Sequence, residues 1–329
     1  MSLHNIYAKS APPVLGELSR TPEMRRLRDV GMNCGCEYTS FRLFRKLKPY
    51  SRWEHSVGTA RIVWHFTGDL TQAVAALFHD IATPTFAHSV DFLHGDSLRQ
   101  ESTEAGTEEI ICSSSEICRI LAGAGIRTED VVDYHRYPIA DNDSPRLSAD
   151  RLEYTFGNLF HYGFRPAFVL RQYYRDLSVA ENEDGAPELA FRDLLTAISF
   201  GFDALKCSQI YVSPQDRYAM QMLSELLARA LERGILRESD LMGTEPRLIK
   251  KLPSDPESRE AWKRFRAMKT MVTEEEDAPL ALRRVIPAKK RCIDPLIAGK
   301  GRLSQVCPEF QIELQRFLAE DQSGWLCAK

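Results

Sequence analysis

The 329-residue chain has no run of 18 consecutive apolar residues, which argues against a membrane-spanning helix. Its first residues, Met1 to Ala11, lack the apolar stretch of an export signal, so a cytoplasmic location is expected. No Cys-x-x-Cys occurs. Eight cysteines are dispersed, at 34, 36, 112, 118, 207, 292, 307 and 327, with one close pair, Cys34-x-Cys36. That spacing excludes zinc-finger architectures, and packing of reduced thiols is the expectation for most of them. No internal repeat of about 20–50 residues is visible, so a solenoid is excluded. An excess of one charge is missing as well. Lys and Arg number 43 and Asp and Glu 46, a net charge of −3, which argues against a general nucleic-acid coat.

What is present fits a globular protein. Hydrophobic residues make up 43% and charged residues 27%. The length suits one large domain or two modest ones. The charge is unevenly spread. Residues 1–50 carry 9 basic and 4 acidic side chains, residues 101–150 carry 4 and 11, and residues 251–300 carry 12 and 8. Separated basic segments leave room for a local anion site, such as one for phosphate; solvated helix faces are the alternative.

Apolar residues recur at helical spacing over most of the chain. Ser56–Leu70, Gln72–Ile81, Glu108–Ala122, Pro145–His161, Pro166–Leu177 and Arg217–Arg233 are predicted helices. Gly234 stops the last of these. Glu181–Pro187 is polar and reads as a surface loop. Strand signals are few, with a short hairpin from Val285–Pro287 and Arg291–Ile297 as the candidate. The expected fold is all-α, with a core over residues 1–180 and a helical accessory region over 181–329 packed against it.

Imidazoles and carboxylates that can share a cation sit on separate predicted helices. His55 lies in RWEHSVG, His79-Asp80 follow the apolar run AVAALF, and Asp150 lies in SADRLEY. A buried Asp beside an apolar run needs a cation or hydrogen bonds to offset its desolvation. This mixed donor set suits Mn, Fe, Ni, Co or Zn. Taken alone, a His-Asp pair is also a common structural feature.

Three stretches together resemble the HD-domain phosphohydrolases. They are Arg52-Trp53-Glu54-His55-Ser56-Val57-Gly58, then His79-Asp80-Ile81-Ala82 through Phe86-Ala87-His88 and Asp91, and Asp150-Arg151-Leu152-Glu153-Tyr154. Leu27 to Gly31 adds to the likeness, which covers roughly residues 22–165. Within that superfamily the chain is most similar to the deoxynucleoside triphosphate triphosphohydrolases. The resemblance implies an all-helical HD core and one divalent transition metal ion held by His55, His79, Asp80 and Asp150. It implies a metal-activated water that attacks a phosphorylated small molecule or nucleotide. It places Arg52 at a phosphate, Tyr154 and Asn158 at the substrate, and His88, Asp91 and Glu104 in catalysis. It also implies a homo-oligomer.

The chain departs from that pattern at two histidines. Ala82-Thr83 replaces Gly-His after the His-Asp pair, and Thr103-Glu104 stands where a His-Glu pair is expected. Threonine supplies no proton near neutral pH. Two further readings therefore stand beside the hydrolase. One is a nucleotide-binding regulator that keeps the metal and turns over little. The other is a dinuclear HD oxygenase drawing extra ligands from His88, His94 and His135. His161 reads as a packed helix residue, and Arg247, Lys250 and Lys251 as a solvated face.

Overall fold

The computed structural model describes residues 3–7, 10–95, 106–274 and 278–329. It is mostly helical, at 57% helix, with a small mixed sheet of four strands. The all-α expectation is approximately right, and a short β-hairpin is present. Among the described residues no helix is long and apolar enough to cross a membrane.

Three helices carry the centre. Arg52–Thr67 starts at a capping box: the Ser51 hydroxyl accepts from the Glu54 amide, and the Glu54 carboxylate accepts from the Ser51 amide. Gly68, at φ 64°, ends it in the left-handed conformation. Asp69 then caps Leu70–Phe78. This helix is buried from Ala73 to Phe78, so nearly its whole circumference is core. Each buried Val, Leu or Phe there contributes about 1.5–3 kcal/mol. It ends three residues earlier than the apolar pattern predicts, leaving His79 and Asp80 in the turn that follows. The third helix runs Ala149–His161 rather than from Pro145, because Ser148 caps it by accepting from the Arg151 amide. Asp150 therefore falls in the first turn, where the helix dipole favours a negative charge. The predicted helix over 108–122 is two, Thr107–Ser113 and Ser115–Gly123, broken at Ser114, which caps the second.

Strand β1 (Leu177–Glu181) and β2 (Pro187–Phe191) form an antiparallel hairpin around the polar loop. β3 spans Arg284–Val285, β4 Leu296–Ile297, β5 Gly301–Arg302 and β6 Trp325–Leu326. The main sheet has the order β1-β2-β4-β5, with β2 and β4 parallel and β4 and β5 antiparallel. β3 pairs with β6 in a separate ribbon. The expected hairpin within 285–297 does not form. Its two arms pair with strands from elsewhere, and the residues between them run as irregular extended chain.

Two buried apolar clusters hold the molecule together. One includes Leu77, Phe78, Leu152, Phe156, Phe200 and Phe310. The other includes Phe41, Phe86, Val90, Tyr218, Leu223 and Trp262. The long helices Leu194–Tyr211 and Pro214–Glu232 contribute to them in turn.

Candidate metal centre

His55, His79 and Asp80 are buried, and one ligand atom from each lies within 4.8 Å of the others. Among the described residues this is the one such group of three or more. Asp150 closes the set, with Oδ1 at 2.9 Å from His55 Nε2 and 3.6 Å from His79 Nε2. Asp80 Oδ2 is 3.9 Å and 3.6 Å from the same two nitrogens.

The outer partners decide which imidazole nitrogens face inward. His55 Nδ1 is 2.7 Å from Glu153 Oε2, and His79 Nδ1 is 2.7 Å from the Ala76 carbonyl. Both partners accept, so both Nδ1 atoms carry the proton and both Nε2 atoms present lone pairs. Those two Nε2 atoms face each other at 3.1 Å. Two lone pairs at that distance, flanked by two carboxylates, require a cation or a proton between them. The donor set thus fits a divalent transition metal. Without one, a proton takes its place. Burial disfavours the charged imidazole of His55, but its hydrogen bonds to Asp150 and Glu153 outweigh this and push it up to about 10. Asp80 is held ionised: burial opposes this, and Arg52, with the two imidazoles and Thr83, overrides it.

Glu153 is the residue that the sequence reading passed over. It is 1% exposed and accepts hydrogen bonds from Tyr7 (3.0 Å), Tyr50 and His55. Its spacing from Asp150 is the available signal, since i and i+3 share one helix face. Two glycines exist to seat this group. A Cβ on Gly58 would lie 2.5–2.7 Å from the Glu153 side chain, and one on Gly157 would lie 2.3–2.4 Å from the Tyr50 ring.

Arg52, 6% exposed, donates from Nη1 to both oxygens of Asp80, at 3.2 and 3.0 Å, while its buried Nε has no partner. The guanidinium lines the cavity but is committed to Asp80 in this state. Thr83 donates to Asp80 Oδ1 at 2.7 Å. Arg26 clamps the same turn through the Ile81 and Thr83 carbonyls, at 2.9 and 2.7 Å.

The cavity over this centre has a volume of about 360 Å³, within the range for small-molecule sites. His88 lines it, with Nδ1 at 2.8 Å from the fully buried Asp91. Phe86 and Ala87, immediately before it, are non-glycine residues at φ 62° and 42°. That strained turn sets the angle at which His88 enters the cavity. Burial lowers the His88 imidazole to about 4, against the opposing pull of Asp91. Tyr154 and Asn158 also line the cavity. Tyr154 packs edge-on against Tyr211, and burial raises its phenol to about 12. The Asn158 amide donates to the Tyr211 hydroxyl at 2.6 Å. Glu104 and Thr103 lie outside the described residues. A second oriented imidazole, His135, sits on the cavity wall at 2.8 Å from Asp141 Oδ2.

Other predicted positions lie apart. His161 is stacked on Tyr50 at 4.5 Å and does not line the cavity. His94 is exposed and away from it. Arg247, Lys250 and Lys251 are also absent from its walls, and Lys251 pairs with Asp240 at 2.6 Å.

No family model matches the chain. Over 237 residues, 72% of this chain, it is 24% identical to the uncharacterized protein YdhJ of Bacillus subtilis, covering 70% of that protein. Over 152 residues, 46% of this chain, it is 30% identical to the metal-dependent phosphohydrolase cns2 of Cordyceps militaris, covering 42% of that protein.

Proposed function

We propose that this protein is an HD-type metal-dependent phosphohydrolase acting on a nucleotide or related phosphorylated small molecule. The observation that carries the reading is the pair of Nε2 lone pairs at 3.1 Å between two carboxylates, each imidazole fixed from behind by an acceptor. The likeness to a metal-dependent phosphohydrolase over 152 residues supports it. A divalent ion in such a site supplies Lewis acidity and lowers the pKa of water toward neutrality.

The chain's own residues then have distinct tasks. His55, His79, Asp80 and Asp150 hold the ion. Glu153 and the Ala76 carbonyl fix the imidazole tautomers. Arg52 keeps Asp80 ionised and adds positive charge where a phosphoryl group must sit. His88, neutral at physiological pH and oriented by Asp91, holds or accepts a proton at Nε2. Thr83, which stands in place of a family histidine, is a positioning residue for Asp80. Tyr154 and Asn158 belong to the substrate wall. The motif likeness favours the triphosphohydrolase branch, while Thr83 in place of a family histidine argues against its acid–base chemistry; product analysis separates triphosphate from phosphomonoester hydrolysis.

The regulator reading rests on the same departure at Thr83. A panel of nucleotides and phosphomonoesters, tested with Mn, Fe, Co, Ni and Zn, decides between them. The hydrolase reading expects metal-dependent phosphate or triphosphate release on at least one member. Tight nucleotide binding with no release on any would favour the regulator. The oxygenase reading draws its extra ligands from His88, His94 and His135; among the described residues none of the three belongs to the cluster formed by His55, His79 and Asp80, and His94 does not line the cavity.

A further inference from the structure

The basic run Lys289-Lys290-Arg291 is not an ordinary solvated patch. The chain from Ile286 to Cys292 contributes alternate residues to the cavity wall and is fastened at both ends. At one end, the buried Arg217 donates from Nη1 to the Ile286 carbonyl (2.5 Å) and to the Gln322 carbonyl (2.8 Å). At the other, the Ser144 hydroxyl donates to the Cys292 carbonyl (3.2 Å), and the Asp294 amide donates to the Pro145 carbonyl (2.9 Å).

Between these anchors the side chains alternate. Pro287, Lys289 and Arg291 line the cavity. Ala288 packs on the main apolar cluster. The Lys290 ammonium turns away, donating to the Leu318 and Glu320 carbonyls at 2.6 Å each. Lys289 and Arg291 therefore belong to the cavity wall, while Lys290 between them is held on the other side. Arg291 acts electrostatically on His88, Tyr154 and Asp216, which places it beside the wall that carries the substrate residues. Arg151 lines the same cavity, with Nη1 tied to Asp141, Asn142 and Ser148. Asp216 and Asp141 are carboxyls of the same wall; Asp141 pairs with Arg151, and burial raises the Asp216 carboxyl to about 7.

We infer that the segment from Pro287 to Arg291 is a recognition strap. Lys289 and Arg291, with Arg151, bind a second anionic group, phosphoryl or carboxylate, of a substrate whose reacting phosphoryl lies at the metal centre. The inference rests on the proposed hydrolase site for where the first group binds. It adds that the preferred substrate is doubly anionic, and that the C-terminal part of the chain reads this feature.

The test is calorimetric binding to the full-length, Mn-loaded protein, with ligands that are not hydrolysed. Methylphosphonate is compared with alkane bisphosphonates and phosphonocarboxylates of graded spacer length. The best-spaced doubly anionic ligand is expected to bind at least about tenfold more tightly than methylphosphonate. The two series identify whether phosphoryl or carboxylate is the preferred second group. In Lys289→Gln/Arg291→Gln, which keeps much of the aliphatic stems, the preference is expected to fall to about twofold or less. Lys290→Gln is expected to retain it. Melting temperatures of the variants show whether each is folded. An equal affinity of the wild-type protein for singly and doubly anionic ligands overturns the inference, as does a preference that survives in the folded double variant. Because no turnover is needed, absence of hydrolysis counts against the hydrolase reading alone.

Discussion

Two parts of the cavity wall are built by different means. At the candidate metal centre three of the four donors are fixed from behind: His55 by Glu153, His79 by a backbone carbonyl, and Asp80 by Arg52 and Thr83. All of these are buried, and they come from the three central helices and the turn that follows Phe78. The rest of the cavity wall draws Tyr154 and Asn158 from the helix that carries Asp150, His135 from the loop before that helix, and the strap from the C-terminal part of the chain. The difference teaches that the candidate metal centre is preorganised by buried partners, while in the proposed reading the strap adds recognition from late in the chain. A preset, desolvated site costs little reorganisation on reaction. A wall made of long cationic side chains can be retuned without disturbing the core.

That contrast orders the expected effects of mutation. The largest belongs to the ligands. His79→Ala/Asp80→Ala is expected to reduce bound metal to background and hydrolysis by on the order of 10³-fold or more, measured by elemental analysis and phosphate release on the same sample. Next comes the group that bridges the two parts. His88→Gln is expected to lower kcat by about 10²–10⁴-fold while leaving metal content intact. Loss of the ion in that variant would erase the distinction between the two parts.

A smaller effect tests the support behind the ligands. Gly58→Ala places a methyl group against Glu153 and is expected to weaken metal affinity by about 10–100-fold, read by competition with a chromogenic chelator. An unchanged affinity would mean that Glu153 does not set His55.

The smallest effect is on stability. His88 lies near 4 in the folded protein against an ordinary value of 6.5. Between those values the unfolded chain binds a proton that the folded chain does not, so stability falls as pH drops from about 6.5 to 4. The wild-type protein is expected to lose about 1–3 kcal/mol more than His88→Gln across that window, measured by urea denaturation at each pH.

The same contrast explains what was legible in the sequence. The candidate metal centre lies in three short motifs, so local residue order already placed His55, His79, Asp80 and Asp150 on adjoining elements. Helix ends were less legible. Ser148 and the turn after Phe78 overrode the apolar periodicity, which continued past both true boundaries. Glu153 stands in the third motif, and its i, i+3 spacing from Asp150 is the local signal that it shares that helix face; its contact with His55 is a tertiary feature. The strap was beyond reach. Lys289-Lys290-Arg291 has the composition of a solvated run, and only tertiary anchors from Arg217 and Ser144 give its alternation a direction. The small sheet escaped for a similar reason, since β4 and β5 are two residues each and exist by pairing beside β2.

The central claim is that a cation held by this centre is what makes the protein a phosphohydrolase. Its most direct test follows ion content and phosphate release together in one preparation, before chelation, after chelation and after adding back a single divalent metal. The account predicts that both vanish on chelation and that both return with the metal in the wild-type protein, and in neither case in His79→Ala/Asp80→Ala. Phosphate release that persists in ion-free protein would contradict it.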